Sequence, residues 1–297
     1  MKRIFYFMAS AWLTVPLLTG CADETAQKTQ EDSAVSVDDA KNAVTSSLVK
    51  IEGEIFSLPS PVQTAILMHK KEIAYNERLL NPLNSEKKYI NQFQKAINMG
   101  VYGADLAYLS NFNNSQMKLD YFKVVESIAT DLDIRNNIDQ SLIDRFAKNI
   151  DIQDSLYKLN ADLFKAGDKY LKQNGEDEVA TLILAGGWIE ALYLALDAAA
   201  QDETFQSRIG EQGFAVNSLV NLLRRHDSPQ TIELANKMES LSSKFEGLVI
   251  EYTYMKPITD ATEKVTYLNS KSKVQISDEQ LAEIAKQVTE IRNFITQ

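Results

Sequence analysis

The fold is decided by residues 179–200, VATLILAGGWIEALYLALDAAA, which are apolar on nearly every side of a helix. Such a helix must be enclosed by neighbouring parts of the protein or by lipid. At about 1.5 Å per residue it would be roughly 33 Å long, which nearly matches the thickness of a bilayer. Glu190 and Asp197, however, would be costly inside the hydrocarbon. We therefore predict a buried central helix and not a transmembrane span.

The rest of the chain has the pattern of a mainly all-α protein. No proline lies between Pro82 and Pro229, and apolar residues there recur at every third or fourth position. This spacing predicts long helices joined by short turns, packed as a multi-helix bundle around the central helix. Near the end, residues 265–268 and 274–276 flank the polar residues 269–273, which predicts a small C-terminal β-hairpin.

Short local signals predict where individual helices begin and end. Asn84 or Ser85 is expected to cap the first of the long helices, because Asn and Ser accept from the free N–H groups there. Gly175 predicts a left-handed helix end. Ser277 followed by Gln280 predicts a capping box at the start of the last helix.

The start of the chain has the features of an export signal. Two basic residues are followed by mostly apolar residues 4–18 and by the sequence LTGC at 18–21. This arrangement is typical of a secretory signal peptide, which we assign to residues 1–20. The small residues before Cys21 resemble the bacterial lipobox, which implies cleavage there and lipid on the Cys21 sulfur and new amino terminus. Because Cys21 is the only cysteine, it has no internal disulfide partner. An ordinary signal peptide with an incidental cysteine is the alternative.

Residues 21–54 are predicted to be a flexible tether and residues 55–297 a single helical domain. Residues 25–39 are rich in Ser, Gln, Asp and Glu, so they cannot bury enough apolar surface to become ordered. Residues 22–24, Ala-Asp-Glu, resemble the acidic tag that routes some lipoproteins of Bacteroidota to the outer face of the outer membrane. We therefore expect an outer-membrane protein, facing the periplasm or the cell surface.

The net charge argues against nucleic acid as a partner. Removal of residues 1–20 leaves 29 of the 31 basic residues against 41 acidic ones, so the net charge changes from −10 to −12. An anionic protein is repelled by phosphate backbones and by anionic head groups. The expected partners are the membrane, through lipid on Cys21, and a protein of the cell envelope.

The chain contains no recognisable catalytic motif. Zinc, iron and haem sites depend mostly on histidine and cysteine, and only His69 and His226 accompany the single cysteine. His69 falls on an apolar helix face and His226 at a basic helix end, which indicates structural roles for both. There is neither a GxSxG elbow nor a phosphate-binding glycine loop. We expect no metal, no cofactor and no catalytic residue.

Two seams of small residues predict that two helices cross. The seams are residues 100–107 and 185–187, and each contains two glycines. A glycine inside a helix costs about 1 kcal/mol relative to alanine, so these glycines indicate close backbone contact. The crossing would bring Asp105 and Glu190 into one neighbourhood. One hypothesis is a pocket for a cationic or hydroxylated small molecule. Its candidate ligand-binding residues are Asp105, Glu190, Tyr102, Tyr108, Trp188 and Tyr193. The alternatives are two buried acids satisfied by Arg or Lys, or two acids facing solvent.

Several of these segments resemble a known family. Residues 56–61 (FSLPSP), 80–82 (LNP), 100–108 and 185–190 (AGGWIE) are similar to a family of uncharacterised all-helical lipoproteins of Bacteroidota. The likeness extends from residue 56 to the C-terminus. It implies a helical fold and a lipid anchor, and it implies no activity because none is assigned to that family.

Two hypotheses about function follow from these patterns. In the first, the chain is a non-catalytic helical binding or scaffold module, tethered to the outer membrane, and it should expose an apolar patch. In the second, it is a small-molecule-binding protein or an acid–base enzyme that uses Asp105 and Glu190. That hypothesis expects a concave pocket with at least one carboxyl group of raised pKa.

Overall fold

The structure is a computed structural model, which describes the backbone of residues 48–51, 54–57, 60–253, 258–260, 265–267 and 271–297. Side chains are described from residue 60 to 251 and from 273 to 297. The predicted signal peptide, Cys21 and most of the predicted tether lie outside the described residues.

Ten α-helices make up most of the described chain, which confirms the prediction of a mainly all-α protein. They are α1 (Pro61–Lys70), α2 (Gln92–Leu109), α3 (Ser115–Asp131), α4 (Gln140–Lys148), α5 (Gln153–Gln173), α6 (Asp177–Ala199), α7 (Thr204–Gly210), α8 (Gly213–Leu223), α9 (Pro229–Ser242) and α10 (Asp278–Thr296). Short 3-10 helices lie at Glu77–Leu79, Leu83–Lys88, Arg135–Asn137 and Ser243–Phe245.

Six short strands pair two by two into antiparallel sheets. They are β1 (Leu48–Ile51), β2 (Glu54–Ser57), β3 (Val249–Thr253), β4 (Ile258–Asp260), β5 (Val265–Tyr267) and β6 (Lys271–Gln275). β1 pairs with β2, β3 with β6, and β4 with β5. The last two pairs are nested, since Val249 pairs with Gln275 on the outside and Asp260 with Val265 on the inside. This nesting is the strand order of one hairpin between residues 249 and 275.

The β-structure near the C-terminus is therefore confirmed, but its pairing differs from the predicted one. The two predicted strands, residues 265–268 and 274–276, do not pair with each other. Each pairs with a segment that precedes it, because residues 249–253 and 258–260 also form strands. The segment 249–253, VIEYT, is rich in the β-branched and aromatic residues that favour strands, so a local signal for it was present.

A short strand lies inside residues 21–54, the segment predicted to be a tether. Leu48–Ile51 forms β1 and pairs along its whole length with β2. The sequences LVKI and EIFS contain several apolar residues in few positions, which favours a short strand pair over a solvated linker.

Two of the predicted helix ends are confirmed and one is wrong. Gly175 has a φ of 74°, as expected of a left-handed helix end. Ser277 forms the predicted capping box with both of its reciprocal hydrogen bonds. The predicted cap at Asn84 or Ser85 is wrong, because a 3-10 helix occupies that region. The α2 helix is capped instead by Asn91, whose side chain accepts the N–H of the third residue after it.

The central helix α6 is enclosed by other parts of the protein, which confirms its predicted burial. Helices α1, α2, α5, α7, α8 and α10 pack against it. By length and composition, α6 is the one helix among the described residues that could cross a membrane. However, 83% of its most apolar window is buried inside the protein, and Glu190 at its centre is fully buried. A helix that is apolar on all sides is expected in this position, because each face needs a neighbour.

Helices α2 and α6 cross at the predicted glycines with almost no space between their backbones. A Cβ atom added at Gly100 would lie 2.0 Å from the carbonyl oxygen of Ile183. A Cβ atom added at Gly186 would lie 1.9 Å from the carbonyl oxygen of Ile97. Only residues without a side chain permit this approach, so the glycines determine how close the two helices come. The crossing places the functional candidates of both helices in one region.

Candidate functional site: a buried acid pair

Asp105 of α2 and Glu190 of α6 lie together beside the glycine crossing, as predicted. We call these two residues the acid pair. Both residues are 0% exposed to solvent, and their carboxyl groups are in hydrogen-bonding contact with each other. Buried acids are rarely tolerated without a partner, so the groups that satisfy them decide what the site can do.

Arg292 of the last helix, α10, provides the positive charge. Its Nε donates to Glu190 Oε2 at 2.7 Å, and one of its terminal nitrogens donates to Glu190 Oε1 at 2.8 Å. The same terminal nitrogen donates to the carbonyl oxygen of Leu79 at 2.7 Å. The guanidinium carbon also lies 4.3 Å from the centre of the Tyr193 ring. This two-point geometry is the strongest way in which a protein holds a carboxylate.

Asp105 is satisfied differently from Glu190. Its Oδ2 accepts the backbone N–H of Asn81 at 3.0 Å. Its Oδ1 is buried and accepts no hydrogen bond from any N–H or O–H group of the described residues. A carboxyl oxygen without a donor is costly inside a protein, unless it carries a proton and acts as a donor itself.

The surroundings shift the titration of both acids in the same direction. Burial raises the pKa of Asp105 well above its ordinary value of 3.8, and the nearby Glu190 charge raises it further, against the opposing effect of Arg292. Burial also raises the pKa of Glu190, and Arg292 again opposes the shift. Two acids that share one cation in a dry site are costly to ionise together, which favours the form in which the pair keeps a proton.

Tyrosine hydroxyls tie the loop before α2 to this region. Tyr102 donates to the carbonyl oxygen of Pro82 at 2.8 Å, and Tyr121 of α3 donates to the carbonyl oxygen of Asn81 at 2.8 Å. The Asn81 side chain in turn donates to the Tyr89 hydroxyl at 3.0 Å. These bonds hold in place the backbone N–H of Asn81 that Asp105 accepts.

The structure brings together four of the six predicted ligand-binding residues. Asp105, Glu190 and Tyr102 lie around the acid pair, and Tyr193 covers Arg292. Tyr108 lies three residues after Asp105 on α2, but its hydroxyl is engaged elsewhere, because it accepts the backbone N–H of Asn76 at 2.9 Å. Trp188 also points elsewhere, because its Nε1 donates to Gln212 at 3.1 Å.

Two residues that complete the site were not predicted from the sequence, Arg292 and Asn81. One alternative raised from the sequence was that an Arg or Lys satisfies the two acids. Nothing in the sequence, however, distinguishes Arg292 from the other basic residues, which number 31 in total. Arg292 follows the apolar residue Ile291 on an amphipathic helix, where a solvated side chain is the ordinary outcome.

The acid pair is therefore closed to solvent and held by one cation, Arg292. A metal ion there would face the positive charge of Arg292. Within the described parts of the chain, no group of three or more His, Cys, Asp and Glu side chains is placed to hold a metal ion. Both histidines lie away from the acid pair, His69 on the surface and His226 with its Nε2 3.2 Å from the hydroxyl of Thr181.

An open groove of about 460 Å³ lies on the surface, where the end of α1 meets the turn between α2 and α3. It is lined by His69, Lys70, Glu72, Ile73, Asn111 and Phe112. Its Asn111 has both side-chain atoms occupied, since the amide nitrogen donates to Ala65 and the oxygen accepts from Tyr157. The groove therefore offers a ligand mainly the charged side chains of Lys70 and Glu72 and the aromatic ring of Phe112.

Comparison of the chain with protein-family models, with curated proteins and with solved structures found no match. The resemblance to helical lipoproteins of Bacteroidota therefore stays a prediction from the quoted segments. Function has to be argued from the residues and their geometry.

Proposed function

We propose that the chain is a lipid-anchored, non-catalytic helical module of the outer membrane, which binds or supports a partner protein of the cell envelope. The observation that carries this proposal is the start of the sequence, where a signal-type segment ends in small residues before the sole cysteine, Cys21. Two or more acyl chains make membrane attachment stable, whereas a single chain gives only marginal binding. Cys21 itself lies outside the described residues.

The character of the buried acid pair favours a structural role over a catalytic one. Each acid is fully buried, Glu190 is held at two points by Arg292, and Asp105 is held by a backbone N–H. A catalytic acid or base has to reach a proton on its substrate within hydrogen-bond distance. Reaching this pair would require displacement of Arg292 and opening of the helix crossing.

Exposed apolar side chains near α8 and β3 supply a candidate surface for a protein partner. Phe214 is 71% exposed, Val249 58% and Ile250 47%. The segments that carry them pack together, because a Cβ atom at Gly213 would lie 2.9 Å from Phe245 Cβ, only a few residues before β3. Exposed aromatic and aliphatic residues on adjoining segments are typical of protein-binding surfaces.

The alternative function, a small-molecule-binding protein or an acid–base enzyme around Asp105 and Glu190, draws support from one observation. The raised pKa values of the two acids are of the kind that occur at functional sites. Buried ion-pair clusters perturb pKa values in the same way, and complete burial counts against access by a ligand. We therefore rank this alternative second.

The lipid anchor is tested by metabolic labelling of the full chain with a radioactive fatty acid in a Gram-negative host. The wild-type protein should incorporate label and sediment with membranes. Cys21→Ser should lose the label and leave the membrane fraction, while Ser33→Ala, a matched change in the predicted tether, should behave as wild type. Equal labelling of Cys21→Ser and wild type would refute the anchor.

The partner surface is tested by site-specific photo-crosslinking in native membranes. A photoreactive residue at Phe214 should yield a discrete adduct with an envelope protein. The same residue at Ile90, which is 82% exposed but lies before α2, serves as the control. Adducts of equal abundance and identity at both positions would show that Phe214 marks no specific surface.

A further inference from the structure

The four oxygens of the acid pair are unequally supplied with hydrogen-bond donors. Both oxygens of Glu190 accept from Arg292, and Oδ2 of Asp105 accepts from Asn81. Asp105 Oδ1 has no donor among the described residues, although it is buried and Asp105 contacts the Glu190 carboxyl. A proton on Asp105 that is donated to Glu190 satisfies all four oxygens without disturbing the two bonds from Arg292.

We infer that Asp105 holds a proton in the folded protein at neutral pH, and that this proton makes the junction of α2, α6 and α10 a pH-sensitive latch for the C-terminal helix. The latch consists of Asp105, Glu190 and Arg292. With the proton present, one carboxylate faces one guanidinium. Loss of the proton places a second negative charge in a site without exposure to solvent, where Arg292 is the one cation that acts on Asp105 among the described residues.

The other bonds of α10 to the core depend on the position that the latch sets. The side-chain amide of Asn98 on α2 donates to the carbonyl oxygen of Ile295 at 2.6 Å. The Tyr89 hydroxyl donates to the carbonyl oxygen of Thr296 at 3.4 Å. Carbonyl groups at the end of a helix have no partner within it, so these two bonds cap the last turn of α10. A shift of Arg292 away from Glu190 would strain both of them.

Among the described residues, the other groups that face the acid pair are one guanidinium and several phenols. They are Arg292 on α10, Tyr193 on α6, Tyr102 and Tyr108 on α2, Tyr121 on α3 and Tyr89 in the preceding loop. Burial raises the pKa of Tyr108 to about 12, and it raises the pKa of Tyr89, Tyr102 and Tyr121 as well. These four phenols therefore stay neutral at neutral pH, and the acid pair is the titrating element of the latch.

The direction of the pH effect follows from the raised pKa of Asp105. Above pH 3.8 the unfolded chain has lost this proton, while the folded protein keeps it up to its higher pKa. In that window the folded state binds one more proton, so its stability falls as the pH rises. A difference of one bound proton makes the unfolding equilibrium constant rise tenfold for each pH unit. This corresponds to a loss of about 1.36 kcal/mol of unfolding free energy per pH unit.

The Asp105→Asn variant tests the inference, because an amide reproduces the protonated acid in shape and supplies a permanent donor toward Glu190. In wild type, the unfolding equilibrium constant should rise tenfold per pH unit between about pH 4 and the raised pKa of the acid pair. The Asp105→Asn variant should lack this rise. The readouts are urea unfolding at a series of pH values and the hydrogen-exchange protection of α10 amides. Protection in α10 should decline with pH in wild type and stay constant in the variant.

Tyr102→Phe is the matched control, since it removes a buried hydroxyl next to Asp105 without changing a charge. It should lower stability by the same amount at every pH and keep the wild-type slope. An Asp105→Asn variant with the full wild-type slope would overturn the inference. If that variant does not fold, infrared spectroscopy of the wild-type protein decides, because a protonated carboxyl group absorbs apart from carboxylates. Absence of that band at neutral pH would equally overturn it.

Discussion

Replacement of Gly100 or Gly186 by alanine should severely destabilise the protein, because at both positions the atoms nearest to an added Cβ belong to the backbone of the other helix. The Cβ of an alanine at Gly100 would lie 2.0 Å from the Ile183 oxygen and 2.6 Å from the Gly187 nitrogen. Ordinary contacts between carbon and a carbonyl oxygen are about 3.3–3.6 Å, so the helices must separate by more than about 1 Å. A backbone that is itself part of a packed helix cannot turn aside as a side chain does.

The magnitude follows from two opposing contributions. Overpacking of a close-packed core costs typically about 1–3 kcal/mol, and a clash between two backbones belongs at the upper end or beyond. Alanine is the better helix former by about 1 kcal/mol, which offsets part of the loss. We expect each variant to lose about 2–4 kcal/mol, a large part of the roughly 5–15 kcal/mol by which domains are stable.

Two other glycines provide graded controls in the same assay, which is urea unfolding followed by circular dichroism. At Gly167 of α5 the nearest atom to an added Cβ would be Ile134 Cγ2 at 3.5 Å, an ordinary contact. Gly167→Ala should therefore gain up to about 1 kcal/mol. At Gly103 the added atom would meet the Phe164 ring at 2.2 Å, and a ring on a half-buried side chain can move. The stability of Gly103→Ala should therefore lie between that of Gly167→Ala and those of Gly100→Ala and Gly186→Ala. If Gly100→Ala and Gly186→Ala are as stable as Gly167→Ala, the close crossing is refuted.

Two further pairs of variants test the latch and the two positions at which a residue other than glycine has a positive φ. Arg292→Met should cost about 3–5 kcal/mol in urea unfolding, because it leaves Glu190 buried without its cation, and Glu190→Leu in the same chain should recover most of that loss. A double variant that is less stable than Arg292→Met would contradict this account. Glu72→Gly should raise the free energy of unfolding by about 0.5–1 kcal/mol, seen as a higher urea midpoint with an unchanged m-value, because Glu72 closes α1 with a φ of 52°, a region that favours glycine. Asp133→Gly, at a φ of 58°, should gain less because Asp tolerates this region better; the reverse order would refute the assignment.

Much of the helical architecture was predictable because the signals for it are local. An apolar run with no polar face has to be enclosed, whichever neighbours enclose it. The capping box at Ser277 and the left-handed end at Gly175 depend on residues within one turn of each other. The cap of α2 was mispredicted because Asn84, Ser85 and Asn91 are all good capping residues, and hydrogen bonds from the distant Tyr102 and Tyr121 hold the loop that decides between them.

The candidate site was predictable only in part. Asp105 and Glu190 could be paired because the glycine seams beside them indicate where α2 and α6 touch. Tyr108 and Trp188 sit on the same helices, but Tyr108 accepts from Asn76 and Trp188 donates to Gln212, and only the packed core reveals these partners. A seam identifies a line of contact along a helix, and it leaves open which flanking side chains point toward that line.

The sequence by itself determined that the chain is helical, that residues 179–200 are buried and that two helices meet at their glycines, because each depends on residue types at short, regular spacing. Only the tertiary structure decided that Arg292, 102 positions from Glu190 along the chain, is the cation of the acid pair. It also decided that Asp105 has one oxygen without a donor, and that the strands near the C-terminus pair with upstream segments. Such pairings depend on distances between elements that are remote in sequence. The interaction of two charges depends on their separation, and only the packed structure determines which opposite charge lies close enough.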